Sequence, residues 1–161
     1  MDAIIYKSNT GFTKKYAEML AEELSLPCYS LDEKPDAKDI IYMGWIFGNS
    51  IQGYKKAANK YNIKCVCAVG MTYPSEKQAR QVSENNDIND VNGVKLFCLQ
   101  GGVKKSALNG FMRLILNFAQ KSMEKSGEKD EESLKVLDAL TNGGDFVKKE
   151  NLTEVIEFIR K

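Results

Sequence analysis

Ser8, Thr10 and Thr13 place three hydroxyls within six residues, in the segment Ser8-Asn9-Thr10-Gly11-Phe12-Thr13. Hydroxyls this close together can donate to the oxygens of a single phosphate group, and Gly11 allows the backbone to approach it. The segment follows an apolar run at residues 3–6 and precedes a helical pattern, so its amides belong to a helix N-terminus. Such amides lack intrahelical acceptors, and the helix dipole makes their surroundings positive. A dianionic phosphate monoester suits this place, and Lys14 and Lys15 add a diffuse positive field just inside the helix. The segment is neither GxGxxG nor GxxxxGK[ST], which disfavours a dinucleotide or a triphosphate and leaves a mononucleotide phosphate. A plain polar turn with threonine as helix cap is the alternative reading.

Other chemistries are poorly supplied. The chain of 161 residues contains no histidine, which removes Ser-His-Asp and Cys-His nucleophiles and every imidazole zinc site. The four cysteines, Cys28, Cys65, Cys67 and Cys98, sit in apolar runs, with neither a CxxC pair nor a zinc-like spacing. Cys65 and Cys67 share one strand face and could chelate, but free cysteine in such runs acts mainly as a small core hydrophobe. No catalytic side chain and no metal ligand set stands out. Lys plus Arg is 23 and Asp plus Glu is 22, a net charge of +1 that gives nucleic-acid binding no support across the whole chain. A hydrophobic content of 43% is enough for one core. The N-terminal residues carry no secretory pattern and no apolar run nears ~20 residues, so a cytoplasmic protein with reduced thiols is expected.

The elements that must hold the hydroxyl segment alternate. Apolar runs at 3–6, 27–30, 39–44, 64–70 and 94–99 read as strands. Phe12, Tyr16, Met19, Leu20 and Leu24 recur at steps of three and four and read as the first helix. Residues 54–61 and 75–84 read as further helices, and Asn151-Leu152-Thr153-Glu154 as a capping box before a last helix. Alternating strand and helix predicts a parallel sheet covered on both faces, within a single α/β domain spanning 1–161.

With that placement, Ser8-Asn9-Thr10-Gly11-Phe12-Thr13 resembles the flavodoxin phosphate loop, [ST]-x-T-G-x-[ST]. The resemblance implies a doubly wound, five-stranded parallel sheet of order 2-1-3-4-5 with helices on both faces, and FMN at the carboxyl ends of the strands. It implies that Ser8, Asn9, Thr10, Gly11, Phe12 and Thr13 hold the phosphate. It also implies that the loops after the third and fourth strands flank the isoalloxazine ring. The matching segments are Gly44-Trp45-Ile46-Phe47-Gly48-Asn49 and Gly70-Met71-Thr72-Tyr73-Pro74. Trp45, Ile46, Phe47, Gly48, Met71, Thr72 and Tyr73 are then the ring-side residues, although Trp45 could equally be a core or rim anchor. The near-neutral charge and an uncharged second loop depart from the acidic electron carriers of that family.

The third departure is a long stretch after the fifth strand, with an extra helical segment and a charged loop over about 104–144. Residues 107–123 are apolar over more than one narrow stripe and are flanked by Lys104, Lys105, Arg113, Lys121 and Lys125. A helix packed on the sheet is one reading; a face for a quinone, an apolar substrate or the membrane interface is the other. Gly101-Gly102, the basic pair and Phe111-Met112-Arg113-Leu114-Ile115-Leu116 resemble the flavodoxin-like, menaquinone-dependent protoporphyrinogen oxidases and their relatives. There, an extra helical segment precedes a short strand and a final helix, places that Asp145-Phe146-Val147 and residues 151–160 would fill. The expectation is an FMN-binding redox protein that passes electrons to a partner protein or a quinone. The alternatives are an oxidase of that quinone-coupled kind, with peripheral membrane contact through 107–123, and a non-redox module of the same fold.

Overall fold

The computed structural model describes residues 1–71, 75–88, 93–104, 106, 117, 134, 138–139 and 142–161. Its strands are β1 (Ala3–Lys7), β2 (Cys28–Ser30), β3 (Asp39–Phe47), β4 (Ser50–Ile51), β5 (Asn62–Gly70), β6 (Lys95–Gln100), β7 (Gly102–Val103) and β8 (Gly144–Asp145). Its helices are α1 (Phe12–Leu24), α2 (Tyr54–Ala58), α3 (Glu76–Asn85) and α4 (Thr153–Arg160), the last preceded by a 3-10 turn at Lys149–Leu152. The main sheet runs β2-β1-β3-β5-β6, all parallel, and β4 adds an antiparallel ribbon to β3. Counting the five parallel strands in chain order gives 2-1-3-4-5, the flavodoxin-like doubly wound arrangement. The chain reverses direction across the sheet between β1 and β3, and that is where such sheets open a crevice at their carboxyl edge.

Strand alternation sorts the core into two layers. Ala3, Ile5, Ile40, Tyr42, Val66 and Ala68 face α2 and α3, packing with Tyr54, Ala57 and Val82. Ile4, Ile41, Met43, Cys65, Cys67, Val69 and Leu99 face the other way, against Tyr16, Ala17 and Leu20 of α1 and Leu152 and Val155 at the C-terminus. Because both faces are covered, the central strands are unbroken apolar runs rather than alternating ones. In α1 the buried residues Phe12, Thr13, Tyr16, Ala17, Leu20 and Ala21 recur at helical spacing.

The cysteines are core residues of these strands. Cys65 and Cys67 are wholly buried, and Cys28 and Cys98 are half-buried. A hydrogen bond with Cys65, and then burial, push the Cys67 thiol well above its ordinary value. Burial lifts Cys98 to about 11. Burial first, then the Glu18 and Glu33 carboxylates, lift Cys28 to about 11. Among the described residues no His, Cys, Asp and Glu cluster could hold a metal ion.

Four local expectations are corrected. The third strand runs through Phe47, past the predicted end at 44, and turns into a two-residue hairpin rather than a loop. Gly48 (φ 55) and Asn49 (φ 63) are both left-handed, which gives the turn the twist that matches its strands. The helix predicted at 54–61 stops at Ala58. The capping box does not form: Leu152 is the residue before α4, with no side-chain cap. The Asn151 side chain is instead drawn sideways, donating to Tyr16 Oη (2.5 Å) and the Phe146 carbonyl (3.1 Å). The short strand expected at Asp145-Phe146-Val147 lies one residue earlier, as β8, paired with β7. The segment 107–123, apart from Asn117, and the charged loop lie outside the described residues. Among the described residues no helix is long and apolar enough to cross a membrane.

Two outcomes follow from this packing. Leu152→Ala leaves a void beneath α1 and lowers the unfolding free energy by about 2–5 kcal/mol in urea titration. At pH 8 a thiol lifted to about 11 is ionised in only about one molecule in a thousand, so native protein gives no fast-reacting thiol with a disulfide reagent. All four cysteines react once the chain is unfolded. A single rapidly labelled thiol in the native protein would contradict the structural role assigned to them.

Candidate functional site

The hydroxyl segment lies where the carboxyl end of β1 meets the start of α1. Gly11 takes the left-handed conformation (φ 97) at the helix boundary, and a Cβ built there would meet no atom within 4 Å. Its amide donates to Ser8 Oγ at 3.2 Å, folding the loop back on itself, and its carbonyl accepts the first helical bond, from the Lys15 amide at 3.0 Å. Among the described residues the amides of Thr10, Phe12, Thr13 and Lys14 have no protein acceptor. The Thr10 and Thr13 hydroxyls likewise have no partner there. Thr13 is only 2% exposed, and among the described residues no fully buried side-chain polar atom is unsatisfied. The result is a cluster of neutral donors at a helix N-terminus whose first turn carries no acidic residue.

The two lysines behave differently from the expected diffuse field. Lys14 pairs with Glu18 at 3.6 Å. Lys15 is hydrogen-bonded to the Asp145 carboxylate of β8 and lies 5.9 Å from the centre of the Phe12 ring. Partial burial of Asp145 works to raise its carboxyl, but the Lys15 ammonium and the Val147 amide outweigh it and hold the group below its ordinary value. Both charges beside the loop are therefore compensated within the protein.

A wall formed by the end of β6 stands next to the loop. Gly101 and Gly102 come so close to Phe12 that a Cβ on Gly101 would sit 3.2 Å from Phe12 Cβ and 2.7 Å from Val69 Cγ1. On Gly102 it would collide with the Gly144 carbonyl and lie 3.0 Å from Phe12 Cζ. One turn further along α1, the wholly buried Tyr16 donates to the Gln100 carbonyl at 2.6 Å and accepts from Asn151. Burial raises the Tyr16 hydroxyl's pKa, so it stays a neutral donor. These contacts were invisible in the sequence, because the partners of Tyr16 lie 84 and 135 residues away.

The ring-side residues divide. Lys7 pairs with Gly44, so Trp45 lies one step beyond the last β1–β3 pair, level with Ser8, and is itself paired with Val69 of β5. Trp45 and Phe47 continue the strand parity of Ile41 and Met43, the α1 side of the sheet. Their rings are 6.0 Å apart, tilted by 46°. Neither belongs to a core cluster, Trp45 is half-buried and Phe47 is 40% exposed. Ile46 points the other way and packs on the α2–α3 core beside Ile51. Gly48 is in the exposed hairpin turn, and Met71 is half-buried just after β5. Thr72 and Tyr73 lie outside the described residues. The structure thus brings Ser8–Thr13, Trp45 and Phe47 to one edge and one face, and leaves Ile46 on the other.

Sequence reasoning passed over Asn86. It is 3% exposed, and its side chain links the end of α3 to the β3–β4 hairpin through the Ile51 amide and the Asn49 and Val82 carbonyls. An asparagine at a helix end reads as a cap, and only its burial marks Asn86 out.

No family model matches this chain, and no curated protein matches it. Among solved structures it is similar to the Trp repressor binding protein from Bacillus subtilis, with 14% identity and a TM-score of 0.44 over 63% of this chain and 85% of that one. That likeness carries no argument; the flavodoxin-like arrangement rests on the strand order itself.

Proposed function

We propose that this chain binds FMN and acts as a flavodoxin-like redox protein, exchanging electrons with a partner protein or a quinone. The observation that carries this reading is the set of donors between Thr10 and Lys14 that are unpaired among the described residues, level with an aromatic pair that neither core layer uses. A phosphate monoester needs several donors converging without a nearby free carboxylate, and Thr10, Phe12, Thr13 and Lys14 supply the amides. The Thr10 and Thr13 hydroxyls add two more. The carboxylates of Glu18 and Asp145 are paired with Lys14 and Lys15. Trp45 and Phe47 offer an apolar surface to a flat conjugated ring, and the strand ends around Gly70–Met71 offer backbone groups to its polar edge.

A bound flavin would supply the electron-transfer chemistry. The protein's part is to bind, orient and surround it, which requires neither histidine nor an acid–base pair. For the quinone-coupled oxidase, the segment that suggested it, 107–123, lies almost wholly outside the described residues, and no other observation favours that reading.

Purified protein should be yellow, and the pigment released on denaturation should be FMN. Stripped protein should bind FMN about a hundredfold more tightly than riboflavin, which lacks the phosphate. Thr10→Val and Thr13→Val should each weaken FMN by about 1–3 kcal/mol in fluorescence titration and leave riboflavin almost unaffected. Equal affinity of both variants and wild type for FMN would place the phosphate elsewhere. A colourless protein that takes up no added FMN would overturn the reading and leave a non-redox module.

A further inference from the structure

The hairpin that carries Trp45 and Phe47 extends past the sheet, with only two ladder pairs, Ile46↔Ile51 and Phe47↔Ser50. Among the described residues no strand covers its outer edge. An exposed edge of this kind leaves peptide groups unpaired and its position loosely set. In this chain the side chain of Asn86 takes the place of the missing strand. Its Oδ1 accepts from the Ile51 amide at 2.9 Å, and its Nδ2 donates to the Asn49 carbonyl at 2.8 Å and the Val82 carbonyl at 2.7 Å. Both donor hydrogens and the acceptor are used, in a side chain 3% exposed. Asn49 of the hairpin turn also donates to Gln81 of α3, at 3.5 Å.

We infer that Asn86 is the positioning residue of the ring side of the site: it pins the β3–β4 hairpin to α3 and thereby sets where Trp45 and Phe47 stand. In its consequence for ligand binding, this rests on the FMN reading above. Asn86 holds the hairpin through its backbone, by bonds that a carboxylate or an alkyl side chain cannot reproduce.

Trp45 is the only tryptophan, so its fluorescence reports the hairpin directly, without any ligand. Asn86→Ala, and the milder Asn86→Ser, should raise acrylamide quenching of Trp45 about twofold under conditions where both are folded. The global control Leu152→Ala should lower the melting temperature without changing that quenching. In flavin titrations the Asn86 variants should weaken FMN and riboflavin by the same factor, about tenfold, so the ratio of the two affinities stays as in wild type. Thr10→Val, by contrast, changes that ratio. Unchanged Trp45 quenching in both Asn86 variants overturns the inference, as does quenching that rises equally in Leu152→Ala. If even Asn86→Ser is unfolded at 25 °C, Asn86 belongs to the core and the positioning role falls. Wild-type protein that binds neither flavin overturns the proposed function alone, and the quenching measurement still decides whether Asn86 sets Trp45.

Discussion

A tyrosine hydroxyl taken fully out of water must find a partner inside the protein, and the partners of Tyr16 organise the whole carboxyl edge. Its hydrogen bond to the Gln100 carbonyl holds α1 against the end of β6. Asn151, which donates to that hydroxyl and to the Phe146 carbonyl, adds the C-terminal segment to the same knot. With Tyr16 held, Phe12 one turn earlier is pressed against Gly101 and Gly102, where no side chain larger than hydrogen fits. The orientation of the Ser8–Thr13 loop is thus set by a contact well below it.

The two sides of the candidate site are built by different physics. The loop side depends on what a helix leaves undone at its beginning: peptide donors without acceptors, and a glycine whose positive φ turns the chain into the helix. The aromatic side depends on strand alternation continued beyond the sheet, which carries Trp45 and Phe47 outward on the α1 face. It also needs a left-handed two-residue turn and a buried amide to keep that extension in place. Glu23 contributes more remotely: Lys149 and Arg160 both pair with it and tie the C-terminal helix to α1.

What was legible in the sequence follows from which features are local. The central strands could be read because burial on both faces makes them continuous apolar runs, as in Cys65-Val66-Cys67-Ala68-Val69. The first helix could be read because Tyr16 and Leu20 repeat at its period, and the loop because three hydroxyls crowd into six residues. The hairpin was missed although Gly48-Asn49, between Phe47 and Ser50, is a two-residue turn signal; an expected loop after the third strand masked it. Asn151 was misread as a cap because its demand comes from Tyr16, far away in the chain. Asn86 offered no local sign at all, since its role exists only once α3 and the hairpin are side by side.

The pairing of Lys14 with Glu18 and of Lys15 with Asp145 reaches beyond the loop itself. With Lys14 and Lys15 compensated at home and a near-balanced total charge, the described residues of the loop carry no free cation to draw a partner from a distance. Under the proposed redox role, encounters with a partner would then proceed at the pace of unsteered collision, roughly 10⁵–10⁶ M⁻¹ s⁻¹. They would depend on the fit of surfaces rather than on attraction at a distance, and added salt would scarcely slow them.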